Sequence, residues 1–132
     1  MTQAEIFKRL GASLKNQRWS WGGVRESDRT VFLRVWQDGI MNIDNKRYIW
    51  VADKECEKSD LGSKERLSHV ELIKSGYKCY MVMCQAVDTE ASPRAVARFN
   101  RKELFVGGEL IEKDGAYWME FVDRISIGEI AV

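Results

Sequence analysis

The apolar positions of this chain change period several times, and each change predicts an element. Ile6, Phe7, Leu10 and Leu14 recur at helical spacing behind Thr2 and Glu5, a T-x-x-E capping box. A helix is therefore predicted from about Gln3 to Ser13, with Gly11 placed to end it early. Arg18–Val24 and Val31–Trp36 read as strands; in the second, Val31, Leu33 and Val35 alternate with Phe32, Arg34 and Trp36. Gln37–Lys46, with Asp38-Gly39 and Asp44-Asn45, reads as a turn-rich link, and Arg47–Ala52 as a third strand. Asp53–Asp60 reads as a charged, solvated loop.

Gly62-Ser63 introduces a second helix with Leu67, Val70 and Ile73 on one side and Gly76 as its C-terminal stop. Tyr77–Val87 is the most continuously apolar run and belongs in the middle of a sheet. Ser92-Pro93 reads as a cap followed by proline at the first helical position, opening a short helix to about Phe99. Glu103–Glu112 and Ala116–Val122 flank Lys113-Asp114-Gly115, a hairpin signal, and Gly107-Gly108 inside the first marks a bulge or sharp bend. The expected architecture is α+β: a single domain over residues 1–132, with a curled, barrel-like, mostly antiparallel sheet and two to three helices.

Composition narrows the function classes. The 132 residues are 45% hydrophobic and 31% charged, which is enough to bury one core and argues against disorder. Lys and Arg number 21 against 20 Asp and Glu, so the chain is not a polybasic binder overall, although a local basic patch fits that balance. No apolar run approaches the ~20 residues of a membrane span, and no signal peptide is legible, so a cytoplasmic protein without a membrane partner is expected. Cys56, Cys79 and Cys84 are odd in number and lack C-x-x-C spacing, which favours reduced thiols. Cys79 and Cys84, five apart in one predicted strand, would face opposite sides.

Candidate chemistry centres on the aromatics. In Arg18-Trp19-Ser20-Trp21-Gly22-Gly23, strand alternation would put Trp19 and Trp21 on one face. With Trp36 they would form either a stacking platform for a flat ligand or the heart of a core. Arg94, Arg98 and Arg101 fall at i, i+4 and i+7, so a helix would align them as a phosphate-binding stripe, joined by Arg25 near the tryptophans. The same run fits a plain solvated face. A nucleophilic pair of Cys84 and His69 is arithmetically open, whereas one histidine excludes two-histidine zinc motifs and H-N-H nuclease chemistry. No metal or other cofactor is expected.

The runs Trp19–Arg25, Val31–Trp36 and Glu65-Arg66-Leu67-Ser68-His69-Val70 resemble the N-terminal module that precedes an HNH nuclease domain in some predicted bacterial restriction endonucleases. The alternation of curled sheet and short helices is similar to PUA-like folds, the group that includes EVE, ASCH and YTH domains. That resemblance implies a non-catalytic module that binds nucleic acid, DNA in the restriction setting, with a modified base held in an aromatic pocket. Trp19, Trp21 and Trp36 match its aromatic part, and Ser20 or Asp38 would hydrogen-bond a base edge. The sequence reaches Val132 without a nuclease segment, so binding alone, or action in trans with a partner in restriction or defence, is expected. Two other classes stay open: a protein-interaction module or homodimer using the same aromatics, and a small thiol enzyme using Cys84 and His69.

Overall fold

The computed structural model describes residues 2–56, 60–92 and 94–131. Helix α1, Gln3–Arg9, starts at the expected capping box, with Thr2 and Glu5 each accepting from the other's backbone N–H. It stops earlier than Ser13 because Gly11 takes φ 74°. The Ala12 and Gly11 N–H groups then bond back to the Phe7 and Lys8 carbonyls, a Schellman ending. Helix α2, Leu61–Lys74, is capped by Asp60 and ends the same way at Gly76, φ 113°. A third short helix, α3, Ile127–Ile130, follows the last strand.

Eight strands form one mostly antiparallel sheet that is not closed: β1 (Gly22–Arg25), β2 (Thr30–Trp36), β3 (Ile40–Ile43), β4 (Lys46–Asp53), β5 (Lys78–Ala86), β6 (Val96–Phe99), β7 (Glu103–Lys113) and β8 (Ala116–Ser126). Their order is β1-β2-β5-β7-β8-β4-β3, with β6 added beside β5. Among the described residues, only β2 and β5 run parallel. The α+β expectation holds, and the long apolar strand does sit centrally, flanked by β2, β6 and β7.

Three local expectations need correction. The run Arg18–Val24 is strand only from Gly22; Trp19 lies in a turn, where the Ser20 N–H bonds the Asn16 carbonyl. Trp19 and Trp21 are therefore not alternate residues of one strand. Within the supposed link Gln37–Lys46 lies β3, which turns into β4 through Asp44 and Asn45 at φ 51° and 65°, a pair of left-handed residues that suits a tight hairpin. The stretch expected as a helix from Ser92 to Phe99 contains strand β6 instead, so Arg94, Arg98 and Arg101 form no helical stripe. Backbone pairing to the β5 edge decides this segment, and Pro93 itself lies outside the described residues.

The curl comes from β7 and β8. Their register shifts between Val106 and Leu110, at the predicted Gly107-Gly108 bend. A Cβ on Gly107 would meet the Cys79 carbonyl oxygen at 2.9 Å and Met119 Sδ at 3.1 Å, so only glycine permits so close a crossing. The bend brings β2 and β4, far apart in strand order, around one inner core that includes Leu33, Val35, Ile49, Val51, Met81 and Met119. The outer face of β2 and β5 carries a second core, with Phe32, Val82 and Cys84 under Ile6, Phe7 and Leu10 of α1 and Ile127 of α3. Cys79 and Cys84 thus face opposite sides, as alternation predicted.

Candidate functional site

The unclosed sheet leaves a seam between β2 and β4, and α2 packs beside it. Arg66, on α2 and only 7% exposed, bridges the seam. Its Nη1 donates to the Val51 carbonyl at 2.6 Å; Nη2 donates to the Trp21 carbonyl at 3.0 Å and to that of Arg34. Val51 is free to accept because β4 bulges there: Trp50 pairs with Trp118 and Ala52 with Tyr117, leaving Val51 without a partner on β8. One guanidinium thus does the work that ladder hydrogen bonds would do in a closed barrel. Burial lowers the Arg66 pKa to about 10, which still leaves it charged at neutral pH.

Above this bridge opens a cleft of about 630 Å³, walled by Trp21, Arg34 and Trp36 on the β2 side, Trp50 and Asp53 on the β4 side, and Gly62 and Ser63 at the start of α2. The helix comes this close because residue 62 is glycine; a Cβ there would lie 2.8 Å from the Trp19 carbonyl oxygen. Trp21 and Trp36 touch each other, with ring centroids 5.1 Å apart at 51°. A flat ligand cannot slide between them. Arg34 stacks on Trp21 at 3.9 Å, and Arg94 lies 5.3 Å from the Trp36 centroid. Trp50 differs: its Nε1 donates to Asp53 Oδ1 at 3.1 Å, fixing the ring, yet among the described residues neither face has an aromatic or cationic partner. Of the three indoles lining the cleft, it is the one without such a contact.

The residues singled out in the sequence are distributed as follows. Trp21 and Trp36 line the cleft, and Trp19 does not. Ser20 is buried beneath it, accepting from the Asn16 N–H at 2.9 Å and donating to Glu65 Oε2 at 3.0 Å, so its one donor is spent and burial keeps the hydroxyl from a base edge. Asp38 is engaged by Arg94 in a bidentate pair at 2.7 and 2.8 Å. Arg25 is buried and structural. It donates to the Leu10 and Ile130 carbonyls at the ends of α1 and α3 and pairs with Asp28, which ties both helices to β1. Arg98 is exposed on β6, and Arg101 lies over Phe99 at 4.2 Å, beside a different cleft.

The thiol pair does not assemble. Cys84 belongs to the outer core, whereas His69 faces Gly22 and Leu33 on the inner side, so β2 stands between them. Burial pushes the Cys84 thiol up and Cys79 to about 12, while burial and then the Arg66 charge hold His69 down at about 4. So weakly basic an imidazole, separated from a sheltered Cys84 thiol by β2, does not activate it as a nucleophile near neutral pH. Among the described residues, no group of His, Cys, Asp and Glu converges as a metal site, and no helix is long and apolar enough to cross a membrane.

Two participants escaped the sequence reading. Trp50 carried a usable signal, since in Arg47–Ala52 it alternates with the core residues Ile49 and Val51 and so points away from them. Arg34 carried another, a lone charge inside Val-Phe-Leu-Arg-Val-Trp. No protein-family model, curated protein or solved structure matches the chain.

Proposed function

We propose that this protein is a non-catalytic nucleic-acid-binding module that holds one unstacked base in the tryptophan cleft. The observation that carries the reading is the Trp50 indole in the cleft wall, held by Asp53 and without the ring and cation contacts that engage Trp21 and Trp36 across the seam. The cleft volume of about 630 Å³ falls within the roughly 300–1,000 Å³ of small-ligand sites. Stacking on an indole contributes about 1–3 kcal/mol per base and suits any base with an exposed face. Arg34, with which no carboxylate pairs among the described residues, supplies positive charge for the attached backbone.

The test is a tryptophan-fluorescence titration with single-stranded DNA hexamers carrying a central adenine, N6-methyladenine, cytosine or 5-methylcytosine. Binding should quench indole emission, and Trp50→Ala should weaken it by about 5-fold or more, the lower end for one stacking aromatic. A preference for either methylated hexamer would make the module a reader of that modification. Affinity should also fall with salt, by about 0.7 log units per log unit of salt for each phosphate contact. Hexamers that leave both emission and anisotropy unchanged at low salt would overturn the reading.

A further inference from the structure

Arg34 borders two clefts at once. Besides the tryptophan cleft, it lines a second of about 740 Å³ on the outer sheet face, between α1 and β6, whose wall includes Phe99, Arg101, Leu14 and Gln17. The two hollows therefore share one residue, whose guanidinium reaches the first of them over the Trp21 ring. That guanidinium is half-buried, and among the described residues no carboxylate pairs with it. It stacks on Trp21, and Nη1 donates to the Ser20 carbonyl at 3.2 Å. The other partly or fully buried arginines of the site region are more fully engaged: Arg25 and Arg94 pair with the carboxylates of Asp28 and Asp38, and Arg66 donates to three carbonyls. A partly desolvated cation without a counter-ion is costly, and an incoming anion would offset that cost.

We propose that Arg34 clamps the phosphate joining two successive nucleotides, one base entering the tryptophan cleft and its neighbour entering the cleft beside Phe99. This rests on the nucleic-acid reading above and deepens it: the recognised unit is a dinucleotide step of a single strand, not an isolated base. The geometry favours this partner because an anion lies between two flat groups in a dinucleotide just as Arg34 lies between two clefts with aromatic walls. Guanidinium suits the task, since its fork meets two phosphate oxygens together. Phe99 already carries Arg101 over its ring at 4.2 Å, so the second base would be received beside an existing cation–aromatic stack.

The experiment compares deoxyadenosine, its 5′-monophosphate and the dinucleotide d(ApA), with the thymidine series alongside, by calorimetric titration of the whole chain. The dinucleotide should bind at least 10-fold more tightly than the nucleoside. Arg34→Gln should remove most of that gain, lowering dinucleotide affinity by a clearly larger factor than nucleoside affinity. Arg34→Lys should restore part of it, together with the salt dependence that the glutamine variant loses, about 0.7 in slope for one phosphate. Phe99→Leu, which keeps an apolar side chain in the outer core, should weaken the dinucleotide and spare the monophosphate, and it tests the second subsite even if Arg34→Gln does not fold. Equal affinity for monophosphate and dinucleotide, or an equal loss for nucleoside and dinucleotide in Arg34→Gln, would overturn the clamp while leaving the single-base reading in place. Failure of all these ligands and of the hexamers to bind would remove both.

Discussion

Replacing Arg66 with methionine would remove the bridge across the seam while keeping a side chain of similar length. Three carbonyls, those of Val51, Trp21 and Arg34, would lose their donor. A stranded buried acceptor costs about 1–3 kcal/mol, so the gross loss is about 3–9 kcal/mol. Against this, methionine no longer holds a charge in a site that lowers the arginine pKa from 12.5 to about 10, a relief of about 3 kcal/mol. Carbonyls beside the cleft would also recover some hydration. The balance is a destabilisation on the order of 3 kcal/mol, or roughly 10–15 °C in melting temperature for a domain of this size. Urea unfolding and thermal melts followed by circular dichroism measure it. Indole emission should shift to the red in the folded variant as water reaches Trp21 and Trp50. Arg66→Lys should fall between the two, because an ammonium keeps the charge without the planar fork. A methionine variant that melts within about 2 °C of the parent, with unchanged emission, would show that the inner core alone closes the sheet and that the bridge is incidental.

Two further outcomes follow from the buried titratable groups. His69 has a pKa of 6.5 in the unfolded chain and about 4 in the fold, lowered first by burial and then by Arg66. Between these values the unfolded chain holds a proton that the folded one does not. Stability should therefore be insensitive to this group above about pH 6.5, fall by about 3 kcal/mol as pH drops towards 4, and level off below; His69→Gln should lose that slope, and an identical slope in the variant would refute the assignment. For the thiols, Cys56 is exposed while Cys79 and Cys84 are buried, so a disulfide labelling reagent should titrate one cysteine in the native protein and all three after unfolding. Rapid native labelling of Cys84 would revive the thiol chemistry that its place in the outer core argues against.

The sequence by itself determined what depends on a few neighbouring residues. The Thr2–Glu5 capping box, the left-handed stops at Gly11 and Gly76, the Asp114-Gly115 hairpin and the glycine bend in β7 all appear where local stereochemistry placed them. The alternation of β2 and the central position of β5 were legible for the same reason. Where a segment's state depends on what lies beside it, the reading failed. β3 is a strand because Asp44 and Asn45 fold it back on β4, and Val96–Phe99 is a strand because the β5 edge offers it hydrogen bonds that outweigh a weak helical spacing of arginines.

The site belongs almost entirely to that second category. Trp21 and Trp36 were visible as candidates, but only the tertiary fold set them in mutual contact, buried Ser20, engaged Asp38 and Arg25, and turned Trp50 towards the same cleft. Residues 21, 34, 50 and 66 meet because a bend at Gly107 curls the sheet until β2 and β4 face each other across a gap too wide for backbone hydrogen bonds. Side-chain period tells which way a residue points from its own strand. Which other strand it then meets is decided by the register and curvature of the whole sheet, and no local spacing encodes that.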